Sequence, residues 1–211
     1  MYDAQSTEGR AHAEDLMRRH ADMEAERAQF DQLWEQISER VFPRQGSGFV
    51  SKNAIQGELR GEKVFDNTPT LALDRFASAV GSMLTPETTQ WHGLKANNPA
   101  LEDDEEVKEY LEAAARFLFQ ARYAPRANFS SQVHECWLSN GAFGTSAMFI
   151  DESMGSSLRY RAMHLGEIYL GENHQGLIDR IHRGKFELKA YQVEQLCNDP
   201  DPSTRWIMPE C

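Results

Sequence analysis

The chain has 211 residues, enough for one substantial domain or one domain with an extension. Its net charge of −11 argues against nonspecific duplex binding, which needs clustered Lys and Arg, though not against DNA passing nearby in a larger assembly. Cys136, Cys197 and Cys211 are far apart, odd in number and form no C-x-x-C, so a disulfide framework or zinc knuckle is not expected, and no apolar run approaches the roughly 20 residues of a membrane span.

At the N-terminus, Leu16, Met23, Phe30 and Ile37 recur every seven residues, and Trp34 and Val41 fill the alternate slots from Phe30 onward. His20 and Arg27 hold the matching slots earlier, so the seam weakens toward the N-terminus. The spacing predicts one helix from about Glu8 to Val41, stopped by Pro43. At 1.5 Å per residue it would run about 50 Å, more than a small core can cover. A packing surface for a neighbouring subunit is the first reading, and a self-standing coiled-coil arm the second. "PRQGSGFVSKNAIQGELRGEK" follows as a loop with room for a short strand.

The stretch "DNTPTLALDRFASAVGSMLTPE" predicts a second helix. Thr68 can cap it, and Pro69 sits at the first helical position. Leu73, Phe76, Val80 and Met83 are its expected buried stripe, with Ala72, Ala77, Ala79 and Gly81 thinning the flanks. "TTQWHGLKAN" reads as a short extended segment. A third helix starts in "EDDEE" and carries Val107, Leu111, Ala114, Leu118 and Ala121 as its stripe. Its acids come first and Arg116 and Arg122 last, matching the helix dipole. The acidic run is therefore a helix start rather than a cation site. "NFSSQVHECWLSNGAFG" gives a fourth helix, capped by Asn128 or Ser130 and ended by Gly141. Phe129, Val133, Cys136 and Trp137 share one side.

The pattern then changes to short β-prone runs. "TSAMFID", "SLRYRAM", "EIYLGE" and "LIDRIHRGKFEL" predict consecutive antiparallel strands. "LKAYQVEQL" starts a last helix, and "NDPDPSTRWIMPEC" reads as a loose tail.

Three groups of residues could carry chemistry. His164, His174 and His182 lie near Glu167, Glu172, Asp179 and Glu187. Strand alternation puts His182 with Ile178 and Arg180 on one face, and Asp179 with Ile181 on the other. A surface hairpin is preferred to a metal or acid–base site. His134 lies two residues before Cys136 but lacks the second His of a metalloprotease helix, so Cys136 is expected to be structural. "SNGAFGTSAM" runs helix–Gly–strand, the reverse of a phosphate cradle, so Gly141 and Gly144 are expected to form a positive-φ turn. No catalytic, cofactor-binding or metal residue is assigned.

Several stretches in order resemble a known family. They are "ERAQFDQLWEQISERVFPR", "FDNTPTLALDRFASAVGSMLTPETTQWHGL", "FSSQVHECWLSNGAFGTSAMFIDE", "RYRAMHLGEIYLGENHQGLIDRIHR" and "AYQVEQL". Together they resemble the N-terminal part of the head-to-tail connecting (portal) protein of short-tailed bacteriophages, over about residues 26–196. With the elements read above, this gives an α+β chain: a long N-terminal helix (1–43), a helical region that the resemblance identifies with the wing (44–143), a small antiparallel β region (144–188), and a short helix with a loose tail (189–211). The resemblance implies a structural, ring-forming virion subunit at the capsid vertex, assembled in the host cytoplasm. Its partners would be its own copies, capsid protein, terminase and tail adaptor proteins. DNA would pass through the channel without sequence-specific binding, with no membrane and no cofactor. The stem and clip expected after Leu196 do not follow, which suggests a truncated form, a prophage remnant or a fragment. The alternatives are a small hydrolase using His134, His164 or His182 with a carboxylate, and a helical adaptor binding a partner through its N-terminal arm.

Overall fold

The computed structural model describes residues 7–45, 49, 64–98, 101, 103–153, 157–184 and 188–192. Helix α1 spans Thr7–Val41, α2 Thr68–Leu84, α3 Glu105–Arg122 and α4 Phe129–Phe143. Strands β1 (Ala147–Ser153), β2 (Ser157–Met163), β3 (Ile168–Glu172) and β4 (Ile178–Arg183) follow. Most of the loop expected after Pro43, most of the last helix and the tail lie outside the described residues. The chain divides into two compact units, Leu33–Leu165 and Met1–Gln32 with Gly166–Cys211. Among the described residues, no helix is long and apolar enough to cross a membrane.

α1 ends where expected. Pro43 has no N–H to continue the ladder, and the chain tightens into one 3-10 turn, Pro43–Gln45. Phe42 then turns into the core of the first unit, where it packs with Leu73, Ala77 and Leu138. α2 lies against α4 there. Gly141 makes the close approach possible: a Cβ at that position would stand 2.8 Å from Leu73 Cδ1 and from Phe76 Cδ1. Gly141 is thus inside α4 as a packing glycine and does not end it. Gly144 ends the helix, with φ 79° and its N–H donating to Asn140 O.

The caps also differ from expectation. Asn67, not Thr68, is the cap residue of α2, and its side chain makes no capping bond. Asp66 Oδ1 accepts from the Thr68 N–H (2.9 Å) and hydroxyl (2.7 Å) instead. Those two bonds hold the Asp66 carboxyl below its ordinary pKa. Asp104 caps α3, accepting from Glu106 N at 3.0 Å, so the acidic run is a helix start as expected. Asn128 precedes α4 in the left-handed region, φ 55°, without a side-chain capping bond.

The buried stripe of α2 is rotated from the expected one. Leu73 and Ala77 are buried and Val80 half-buried, but Phe76 and Met83 face outward, Met83 at 78% exposure. α3 buries only Ala115, with Val107, Leu111 and Ala114 half-covered.

The four strands pair as two separate antiparallel ribbons, β1 with β2 and β3 with β4. In the first unit, the inner face of β1–β2 presents Met148, Leu158 and Tyr160 to Ala127, Phe129 and Val133. In the second unit, β3–β4 packs with the first part of α1, where Met23 and Tyr169 are buried. The Asn173 side chain accepts from the N–H groups of Gln175 and Leu177 and shapes the connecting turn, with His174 exposed in it.

Candidate functional site

β3 and α1 build the most constrained polar group of the second unit. Arg27 occupies an apolar slot of the α1 heptad and is 7% exposed. Its Nη1 donates to the carbonyls of Gly166 (2.9 Å) and Ile168 (3.1 Å), while its Nε faces Asp31 at 3.0 Å. The guanidinium lies 4.0 Å from the centroid of the Tyr169 ring, which holds the aromatic face against a cation. Burial pushes the Tyr169 hydroxyl above its ordinary pKa, outweighing the lowering by Arg27. A buried arginine held by backbone carbonyls, a carboxylate and a ring is a structural pin. The Tyr169 hydroxyl beside it is buried without a hydrogen-bond partner among the described residues.

His182 joins this cluster. Its ring stacks on His20 of α1 at 5.8 Å and 18°, and His20 meets Tyr169 edge-on at 4.5 Å. Burial lowers the His182 pKa, and the charges of His20, Arg180 and Arg19 lower it further. The strand pattern missed this pairing because the partner lies on a helix far away in sequence. Among the described residues no carboxylate meets His182; Glu172 and Asp179 are exposed, and Asp179 pairs with Arg180 at 3.2 Å. Glu167 is held by Arg183 at 2.8 Å, and Glu187 lies outside the described residues. In the first unit, His164 faces Gln45 O at 3.3 Å and packs on Phe49. Among the described residues, no group of three His, Cys, Asp or Glu side chains could hold a metal ion.

The α4 candidates separate in the same way. His134 Nε2 is 3.7 Å from Asp74 Oδ1, a contact at the surface beside an open cleft between α2 and α4. Ser82, one of the hydroxyls lining the cleft, donates to Ala79 O. Cys136 is buried with its Sγ 3.9 Å from Ala147 O, and burial raises its thiol pKa. A reactive cysteine needs the opposite shift. "SNGAFGTSAM" is the helix-to-strand turn expected, with the positive φ supplied by Gly144 alone.

"TTQWHGLKAN" pairs with no strand among the described residues and lies against the end of α3. Trp91 Nε1 donates to the Tyr123 hydroxyl (3.0 Å), which donates to Thr85 O (2.9 Å). The Arg122 guanidinium lies 4.8 Å from the Trp91 ring centroid and 3.3 Å from His92 Nδ1. Burial, then the Arg122 charge, lowers the His92 pKa, so the neutral ring accepts from arginine. The "WHGL" motif is therefore a strap fixed by an arginine–aromatic stack.

Several large apolar side chains face outward. α1 exposes Leu16, Met17, Phe30 and Leu33; α2 exposes Leu71, Phe76, Met83 and Leu84; α3 exposes Tyr110 and Phe117. Surface residues of this size on three helices are what subunit contact uses.

The family model of the bacteriophage head to tail connecting protein matches residues 13–205. The chain is 25% identical over 178 residues to the probable portal protein of Bordetella phage BPP-1, covering 84% of this chain and 31% of that protein. It is 27% identical over 182 residues to the portal protein of Salmonella phage epsilon15, covering 86% of this chain and 32% of that one. The chain thus spans under one third of the length of these curated relatives. A match running from within α1 past the last described strand takes in both units, and the chain belongs to the bacteriophage head-to-tail connecting protein family.

Proposed function

We propose that the chain is a structural subunit of the wing region of a portal, the connector between a phage head and its tail. It packs against copies of itself in a ring at the capsid vertex. The family match carries the reading. The outward apolar residues of α1, α2 and α3 support it, because a ring subunit keeps such faces for its neighbours. The role needs no catalysis, and among the described residues His164, His182 and Cys136 are engaged in packing while His134 and His174 sit at the surface.

Capsid protein, terminase and tail adaptor proteins are the partners of this role, and the assembled particle is its place, reached through assembly in the host cytoplasm. DNA passes nearby without being read, in keeping with a charge of −11. The test is a tagged chain expressed in cells producing the phage. Label at one vertex per purified particle is expected; label spread over the shell, or absent from particles, would contradict the role.

A further inference from the structure

Two faces of the first unit complement each other. On α3, Tyr110 and Phe117 are 73% and 68% exposed, and Ala113 between them is exposed too. Their spacing of three and four places them on one stripe. Glu106 stands one turn before Tyr110 on that stripe and Glu109 flanks it, both exposed. Arg116 flanks the far end.

The outer face of β1–β2 has the opposite charge around the same kind of centre. Phe149 is 54% exposed and lies directly across from Arg161; Asp151 lies across from Arg159. Alternation sends Tyr160 and Met148 to the core and leaves Phe149, Arg159 and Arg161 outside. Neither arginine has an ion pair among the described residues, and neither do Glu106 and Glu109.

We propose that the α3 stripe is the seat of the β1–β2 outer face of a second copy of this chain. Phe149 lies between Tyr110 and Phe117, and Arg159 and Arg161 meet Glu106 and Glu109. The match of an apolar centre with opposite charges at its edge selects the copy over an unrelated partner. Two different patches in contact make a head-to-tail interface, the kind that closes into rings. This assignment rests on the self-assembly proposed above and names the surfaces that carry it.

The test is charge exchange in the full chain, read by sedimentation velocity, with circular dichroism as the check on folding. Glu106→Arg with Glu109→Arg, and separately Arg159→Glu with Arg161→Glu, should each weaken self-association by about tenfold or more. Combining all four should restore it to within about threefold, because the pairs are re-formed with their signs exchanged. Weakening without restoration, or no weakening, overturns the pairing while leaving a self-assembling subunit intact. A wild-type chain that stays monomeric overturns both. A second readout covers a variant that fails to fold. In a Cys197→Ser, Cys211→Ser background, mixed chains bearing Tyr110→Cys and Phe149→Cys should cross-link to each other and not to their own kind. Equal cross-linking in all combinations, or none, overturns the assignment.

Discussion

Replacing Arg27 with Met keeps the length of the side chain and removes its charge. The structure sets the cost. Two carbonyls, Gly166 O and Ile168 O, lose charged donors at 2.9 and 3.1 Å, and the Asp31 carboxylate loses its cation. Arg27 and Asp31 side chains are only 6% and 15% exposed, so water replaces the missing partner poorly. Removing one member of a buried pair costs about 3–5 kcal/mol, of which the Tyr169 ring contact is worth about 1 kcal/mol. We expect Arg27→Met to lower the stability of the α1–β3–β4 unit by about 3–5 kcal/mol. Amide exchange is the assay, since it reads each unit separately. The Gly184 N–H, which donates to Glu167 O at 2.7 Å, and the β3 amides should exchange about a hundredfold to several thousandfold faster, while those of α4 stay unchanged. Adding Asp31→Leu should recover part of the loss, because the stranded carboxylate goes too. A loss under about 1 kcal/mol, or equal acceleration in α4, would refute the view of Arg27 as a buried pin.

The depressed pKa values of His182 and His92 set a pH dependence. A histidine with a folded pKa below its unfolded value contributes stability that is full above about pH 6.5 and declines as pH falls toward the folded pKa. Thermal midpoints should therefore drop on acidification below about pH 6.5, and His182→Gln should flatten the fall; an unchanged slope would contradict the His20–His182 stack. Gly141→Ala should cost about 1–3 kcal/mol by thermal melting, since Leu73 is buried and cannot retreat from the new Cβ. Phe76→Ala should relieve part of that cost. Equilibration with zinc followed by elemental analysis should find no stoichiometric metal; one ion per chain would reopen the histidine hairpin as a site.

The long α1 helix, the four strands and the acid-led start of α3 were legible because each rests on a local pattern: period, turn residues and charge order. The buried face of α2 was not. Apolar residues at 71, 72, 73, 76, 77, 79, 80, 83 and 84 cover more than half of its circumference, so periodicity cannot choose between two stripes. Gly141 on α4 makes the choice by leaving room for Leu73. The role of Gly141 was misread for the same reason, because the need for it comes from another helix. His182 was placed correctly within its strand, yet its partner His20 lies at the other end of the chain, where no spacing rule reaches. Arg27 showed only as a gap in the heptad, and the carbonyls that fill the gap are visible only once β3 is docked.

Self-assembly is the central claim, and mass in solution measures it. Native mass spectrometry of the purified chain over rising concentration should give one dominant closed oligomer, an integer multiple of 24.1 kDa, at the expense of the monomer. A ladder stopping at no particular number would point to open chains. A single species of 24.1 kDa at every concentration would contradict the account.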